Sequence, residues 1–104
     1  MIKYVRLDTM QSGKHREARE KAIKLAEHIN TNCPPVKPIE LLMPITGGGQ
    51  SVITWMADFA DLGAWEKWWA NLVAHENTGE FMASWGDVFV AGAKDVQFYR
   101  FVEE

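Results

Sequence analysis

The run from Ser51 to Phe101, SVITWMADFADLGAWEKWWANLVAHENTGEFMASWGDVFVAGAKDVQFYRF, passes from strand to helical spacing and back to strand, and so leaves few folds open. SVITWMADF alternates with a period of two, as a strand with one buried face does. Asp61 then stands where a helix N-cap would. Behind it Leu62, Trp65, Trp69, Leu72 and Val73 fall at i, i+3, i+7, i+10 and i+11, one broad apolar face with two indoles on it and with Trp68 to its side. A shorter helix is expected from Asn77, whose spacing to Glu80 is that of a capping box, with Phe81, Met82 and Trp85 turned inward. Gly86 to Gly92 reads as a connection, and DVQFYRFV as a closing strand.

The first half repeats this plan more faintly. In IKYVRLDTM, Ile2, Tyr4, Arg6 and Asp8 alternate with Lys3, Val5, Leu7 and Thr9, which gives one polar-aromatic face and one face carrying the Val5/Leu7 pair. Gln11, Ser12 and Gly13 break the strand, and Ser12 is a candidate N-cap for a helix to about Asn30. Ala18, Ala22, Leu25, Ala26 and Ile29 form its apolar stripe, while Glu17, Lys21, Lys24 and Glu27 face water. Three prolines between Thr31 and Pro38 exclude helix there. Residues 39–46, IELLMPIT, read as a strand that ends at Gly47, Gly48 and Gly49. A phosphate loop would run on into a helix, but Gln50 leads into another alternating strand, so the glycines read as a hairpin turn. The order is βαββαβ, an α+β fold whose four strands form an antiparallel sheet.

Length and charge narrow the function. A chain of 104 residues is the size of a single domain, here 1–104, and buries only about two-thirds of its unfolded surface by itself, so a second copy is a natural partner. The formal charge of −3, with basic residues interleaved among acidic ones between Lys14 and Glu27, argues against a nucleic-acid partner. No apolar stretch approaches the roughly 18 residues of a membrane span and no signal segment is evident, so a cytoplasmic protein without a membrane partner is expected. Cys33 lies beside Pro34 and Pro35 with nothing near it in sequence to activate its thiol. His15 and His28 read as surface residues of the first helix without metal spacing, and no metal site is expected. Zinc hydrolase, redox, serine hydrolase and dinucleotide motifs do not occur.

The closing strand is apolar on both faces, with Val96, Phe98 and Val102 on one and Tyr99 and Phe101 on the other. Helices can cover one face. The other needs a second layer that the chain does not have left to give, which points to the same sheet of another copy.

The βαββαβ order, the turn GGGQ before an aromatic strand, the run DFADLGAWEKWWANLVAHENTGEFMASWGDVFV and the ending QFYRFVEE together resemble the dimeric α+β barrel superfamily, of ferredoxin-like fold. Within it the chain is similar to NIPSNAP-like and antibiotic-biosynthesis-monooxygenase-like proteins. The resemblance implies a homodimer and, in each subunit, a pocket between sheet and helices for a hydrophobic or aromatic small molecule. The activities it leaves open include cofactor-free monooxygenase chemistry, a non-catalytic binding or structural role, and haem binding or degradation. The haem-degrading members carry an Asn on the first strand, and a Trp and a His ten residues apart. Trp65 and His75 have that spacing, but alignment on the short helix puts His75 at their Trp and Trp85 at their His, and the first strand offers Arg6, Leu7 and Asp8 with no Asn. No cofactor is therefore expected.

The pattern also suggests a lining for the pocket. Tyr4 or Leu7 and Ile53 or Trp55 would come from the sheet, Trp69 and Leu72 from the long helix, and Phe81, Trp85 and Phe89 from the segment after it. The same residue types also build ordinary cores. His75 reads either as a residue at a helix terminus or as a general base or haem ligand facing the pocket. With Tyr99 and Arg6 it completes the set of candidate catalytic groups, and Tyr4 and Asp8 are further polar groups within reach of such a pocket.

Overall fold

A computed structural model of the chain describes residues 1–44 and 51–102, the side chains at 93 and 94 excepted. The glycine turn and the end of the strand expected over 39–46 lie outside the described residues. Strand β1 (Ile2–Met10) is followed by helix α1 (His15–Asn32), strands β2 (Glu40–Leu42) and β3 (Val52–Phe59), helices α2 (Leu62–Ala74) and α3 (Glu76–Ala83), a 3-10 turn (Trp85–Asp87) and strand β4 (Phe89–Arg100). The four strands pair antiparallel in the order β2-β3-β1-β4, which puts β1 and β3 at the centre. This is the expected α+β, ferredoxin-like arrangement.

Alternation along β1 decides which groups meet the helices. Tyr4, Asp8 and Met10 are buried, and β3 turns Ile53, Trp55, Ala57 and Phe59 to the same side. The polar-aromatic face of β1 is thus the inner one. Val5 and Leu7 lie on the outer face beside Met56 and Thr54, which no helix among the described residues covers. The stripe of α1 is confirmed in full, since Ala18, Ala22, Leu25, Ala26 and Ile29 are all buried.

Several boundaries differ from the sequence reading. Ser12 does not cap α1. The chain turns at Gly13, whose φ of 78° is left-handed and suits glycine, and Lys14 takes the N-cap position with no side-chain bond. β4 begins at Phe89 rather than after Gly92, and Gly92 (φ 76°) lies within a register shift opposite Asp8 and Met10. Such an irregularity breaks the alternation and hides a strand from a period-two reading. Asn77 does not cap α3 either. His75 does, accepting a hydrogen bond from the Asn77 amide at Nδ1 (3.2 Å).

The phase of α2 is also corrected. Asp61 caps it as expected, its Oδ1 accepting from the Ala64 amide at 2.8 Å. The buried residues are Trp68 and Leu72, with Ala64, Trp65 and Trp69 half-buried on either side, whereas Leu62 and Val73 are exposed. Trp68 lies at the centre of the packed face because its indole N–H reaches the Cys33 carbonyl (2.7 Å) while its rings pack on Tyr4 and Phe59.

Candidate functional site

Between the inner face of the sheet and the helices lies a cavity of about 290 Å³. Its floor is Tyr4, Arg6 and Asp8 of β1 and Trp55 of β3. Leu25 and Ile29 of α1 form one wall, Trp68, Trp69 and Leu72 of α2 another, and Thr78, Gly79 and Met82 of α3 with Trp85 a third. Val73 and Met82 line it while remaining partly exposed and so mark its mouth. The wall residue Ile39 is fixed by Asn30, whose side-chain oxygen accepts from the Ile39 amide at 2.8 Å. An apolar cavity of about 150 Å³ holds benzene, so this one has room for a molecule of two or three fused rings.

Almost every lining group is apolar, and the charge is concentrated at one place. Arg6 donates to Asp8 through Nε (2.9 Å to Oδ2) and Nη2 (3.2 Å to Oδ1), a two-pronged pair between neighbours on the same face of β1. Asp8 is only 3% exposed. Burial by itself disfavours the charge on Arg6, but the hydrogen bonds and negative charge of Asp8, joined by Tyr4, outweigh it and raise the arginine pKa above its ordinary value. Burial pushes the Tyr4 hydroxyl up in pKa, with the nearby Arg6 opposing it. The guanidinium also lies over the Trp69 ring at 5.9 Å. Trp55 adds one more polar group, since its buried indole N–H has no acceptor among the described residues. An ion pair with one member buried and the other half-buried is costly to build into a wall that apolar residues could fill, which marks this corner as the candidate centre.

The structure brings together seven of the residues expected from sequence: Tyr4, Arg6, Asp8, Trp55, Trp69, Leu72 and Trp85 all line the cavity. Four others are placed elsewhere. Phe89 is core, 1% exposed and stacked on Trp85 at 4.2 Å. Phe81 packs on the His28 ring at 5.6 Å, away from the cavity lining. Tyr99 pairs with Lys3 on the outer face, half exposed, with its hydroxyl donating to Gln97. His75 caps α3 and borders a separate surface depression with Asn32, Cys33 and Pro34. Both of these candidate catalytic groups therefore stand outside the cavity, because strand alternation sends Tyr99 to the far side of the sheet and the α2–α3 junction turns His75 toward α1.

His28 is not a surface residue. It is 7% exposed, its Nε2–H donates to Thr78 Oγ1 (2.9 Å), and its Nδ1 accepts from the side-chain Nδ2 of Asn32 (2.9 Å). Burial, then the neighbouring His75 with ring centres 4.8 Å apart, lowers its pKa. This contact ties α3 to α1 beside the cavity. Sequence reasoning also missed Trp68, Leu25, Ile29 and Thr78 as lining residues. The α1 stripe was the available signal for Leu25 and Ile29. Nothing local distinguishes a helix stripe that meets a sheet from one that borders a cavity.

No family model matches the chain, and no curated protein matches it in sequence. In structure it is similar to an uncharacterized NIPSNAP domain protein from Burkholderia xenovorans (TM-score 0.80, 13% identity, 98% of this chain and 95% of that one). It is also similar to SnoaB, a cofactor-independent oxygenase from Streptomyces nogalater (TM-score 0.67, 12% identity, 99% and 94%). A third likeness is to a dimeric protein of unknown function and ferredoxin-like fold from Bacteroides fragilis (TM-score 0.72, 12% identity, 96% and 95%). At these identities the likeness establishes the fold, the one anticipated from the sequence, and nothing of the chemistry.

Proposed function

We propose that this protein is a homodimer in which each subunit binds a hydrophobic or aromatic small molecule in the cavity between sheet and helices. The observation that carries the reading is a cavity of about 290 Å³, lined by four indoles and closed at its floor by a buried ion pair. Aromatic walls with a few convergent polar groups are the usual makeup of a small-molecule site. The dimer is supported by the outer sheet face, where Val5, Leu7 and Met56 are only half-buried and Tyr99 and Phe101 are exposed without a covering helix.

The chemistry this site suits is cofactor-independent oxygenation, the activity named for SnoaB. A ligand with an acidic CH₂ beside a conjugated carbonyl would lose a proton to Asp8, while Arg6 holds the enolate oxygen. The carbanion then adds dioxygen, and the peroxide loses water, so that a CH₂ and one O₂ become a carbonyl and H₂O. The protein supplies a dry, shaped space and two charged groups. The candidate catalytic role thus stays with Arg6 and passes from His75 and Tyr99 to Asp8. None of the three histidines lines the cavity, so a haem seated there would find no imidazole ligand.

Thermal-shift and oxygen-uptake measurements with a panel of bicyclic and tricyclic phenols and ketones test the proposal. A rise in melting temperature without oxygen consumption supports binding and removes the oxygenase. No shift with any compound removes both and leaves a non-catalytic dimeric domain.

A further inference from the structure

We propose that the Arg6–Asp8 pair selects the head group of the ligand: an uncharged, planar group in which an N–H or O–H donor stands beside a carbonyl oxygen. The inference rests on the binding reading above and specifies its substrate class. Of the five N–H donors of a guanidinium, the bonds to Asp8 use two and the Tyr4 hydroxyl engages a third, and a carboxylate has about four acceptor positions of which the bonds from Arg6 use two. Both residues line the cavity, so donor and acceptor capacity remains on two neighbouring side chains of its floor. The walls around them are aliphatic or aromatic and offer no competing charge.

The pair is neutral as a whole, and that fixes the charge of what it accepts. An anionic head group would bring a second negative charge next to Asp8, and a cationic one a second positive charge next to Arg6, each taken out of water without a partner of its own. A neutral group with adjacent donor and acceptor meets neither penalty. Its N–H or O–H satisfies Asp8 and its carbonyl satisfies Arg6. The buried Trp55 N–H, which has no acceptor among the described residues, belongs to the same lining and supplies a second donor for an oxygen placed there.

Calorimetric titration with three probes of similar shape tests this. They are 2-quinolone, with N–H beside C=O; N-methyl-2-quinolone, which lacks the donor; and 2-naphthoate, an anion. The wild-type protein should bind 2-quinolone about tenfold tighter than either of the others, the worth of one hydrogen bond made in a dry site. Asp8→Asn removes the negative charge and keeps Arg6, so it should reverse the order in favour of 2-naphthoate. Replacing both charges by Leu leaves no unpaired ion, keeps the fold, and should abolish the discrimination between the two quinolones; this variant decides the matter if Asp8→Asn does not fold. Equal wild-type affinity for the two quinolones, or tightest binding of 2-naphthoate, overturns the head-group inference and leaves cavity binding intact. Failure of all three probes to bind overturns the binding reading, and this inference with it.

Discussion

Trp68 and Trp69 are adjacent in sequence, yet their removal should differ severalfold in cost. Trp68 is 8% exposed, packs on Tyr4 and Phe59 at 5.9 and 5.1 Å between ring centres, and donates its indole N–H to the Cys33 carbonyl. A buried indole removes roughly 200 Å² from water, which at about 25 cal/mol per Å² sets an upper bound near 5 kcal/mol. Truncation of buried Trp to Ala costs about 3–5 kcal/mol, and loss of the bond that holds the chain after α1 adds about 1 kcal/mol. Trp69 is half-buried and makes no hydrogen bond comparable to that of Trp68 among the described residues. Its truncation gives up contacts with Trp65 and the face of Arg6, about 1–2 kcal/mol in all. Urea denaturation of both Ala variants at matched protein concentration measures the difference, and Trp68→Phe isolates the hydrogen bond. An equal or larger loss for Trp69→Ala would refute the helix phase.

Asp61→Ala should destabilise the fold by about 1 kcal/mol through the lost N-cap of α2, read from the same denaturation curves, and Asp61→Asn should recover most of it. Because burial and His75 lower the pKa of His28, the unfolded chain binds that proton more tightly. The stability from neutral His28 is therefore present above about pH 6.5 and is lost as the pH falls from there through the folded value; His28→Gln should flatten that part of the profile in urea melts taken from pH 5 to 8. Met56 lies on the outer face opposite Val5, so Met56→Lys should turn the proposed dimer into a monomer in sedimentation equilibrium, and a wild-type chain that sediments only as a monomer at micromolar concentration would remove the dimer.

Periodicity alone was enough to order the strands and helices, to group Ile2, Tyr4, Arg6 and Asp8 on one face of β1, and to mark Ala18 to Ile29 as the buried stripe of α1. These are local properties, set by the two-residue and 3.6-residue repeats of a chain that buries one side of each element. Local repeats do not say which side of a strand the helices will cover. Val5 and Leu7 are the more apolar pair in β1, yet it is Tyr4, Arg6 and Asp8 that face inward. Nor could spacing choose among Trp65, Trp68 and Trp69, which all lie within about 100° of one another on the helix and so share one face. The choice falls to Trp68 because the Cys33 carbonyl, 35 residues away, accepts its indole N–H. His28 becomes buried because α3 brings Thr78 to it from 50 residues away. The cavity itself has the same origin. It is the volume left where α2, α3 and Trp85 stand over the sheet without filling it, a property of how the elements are spaced that no single one of them encodes.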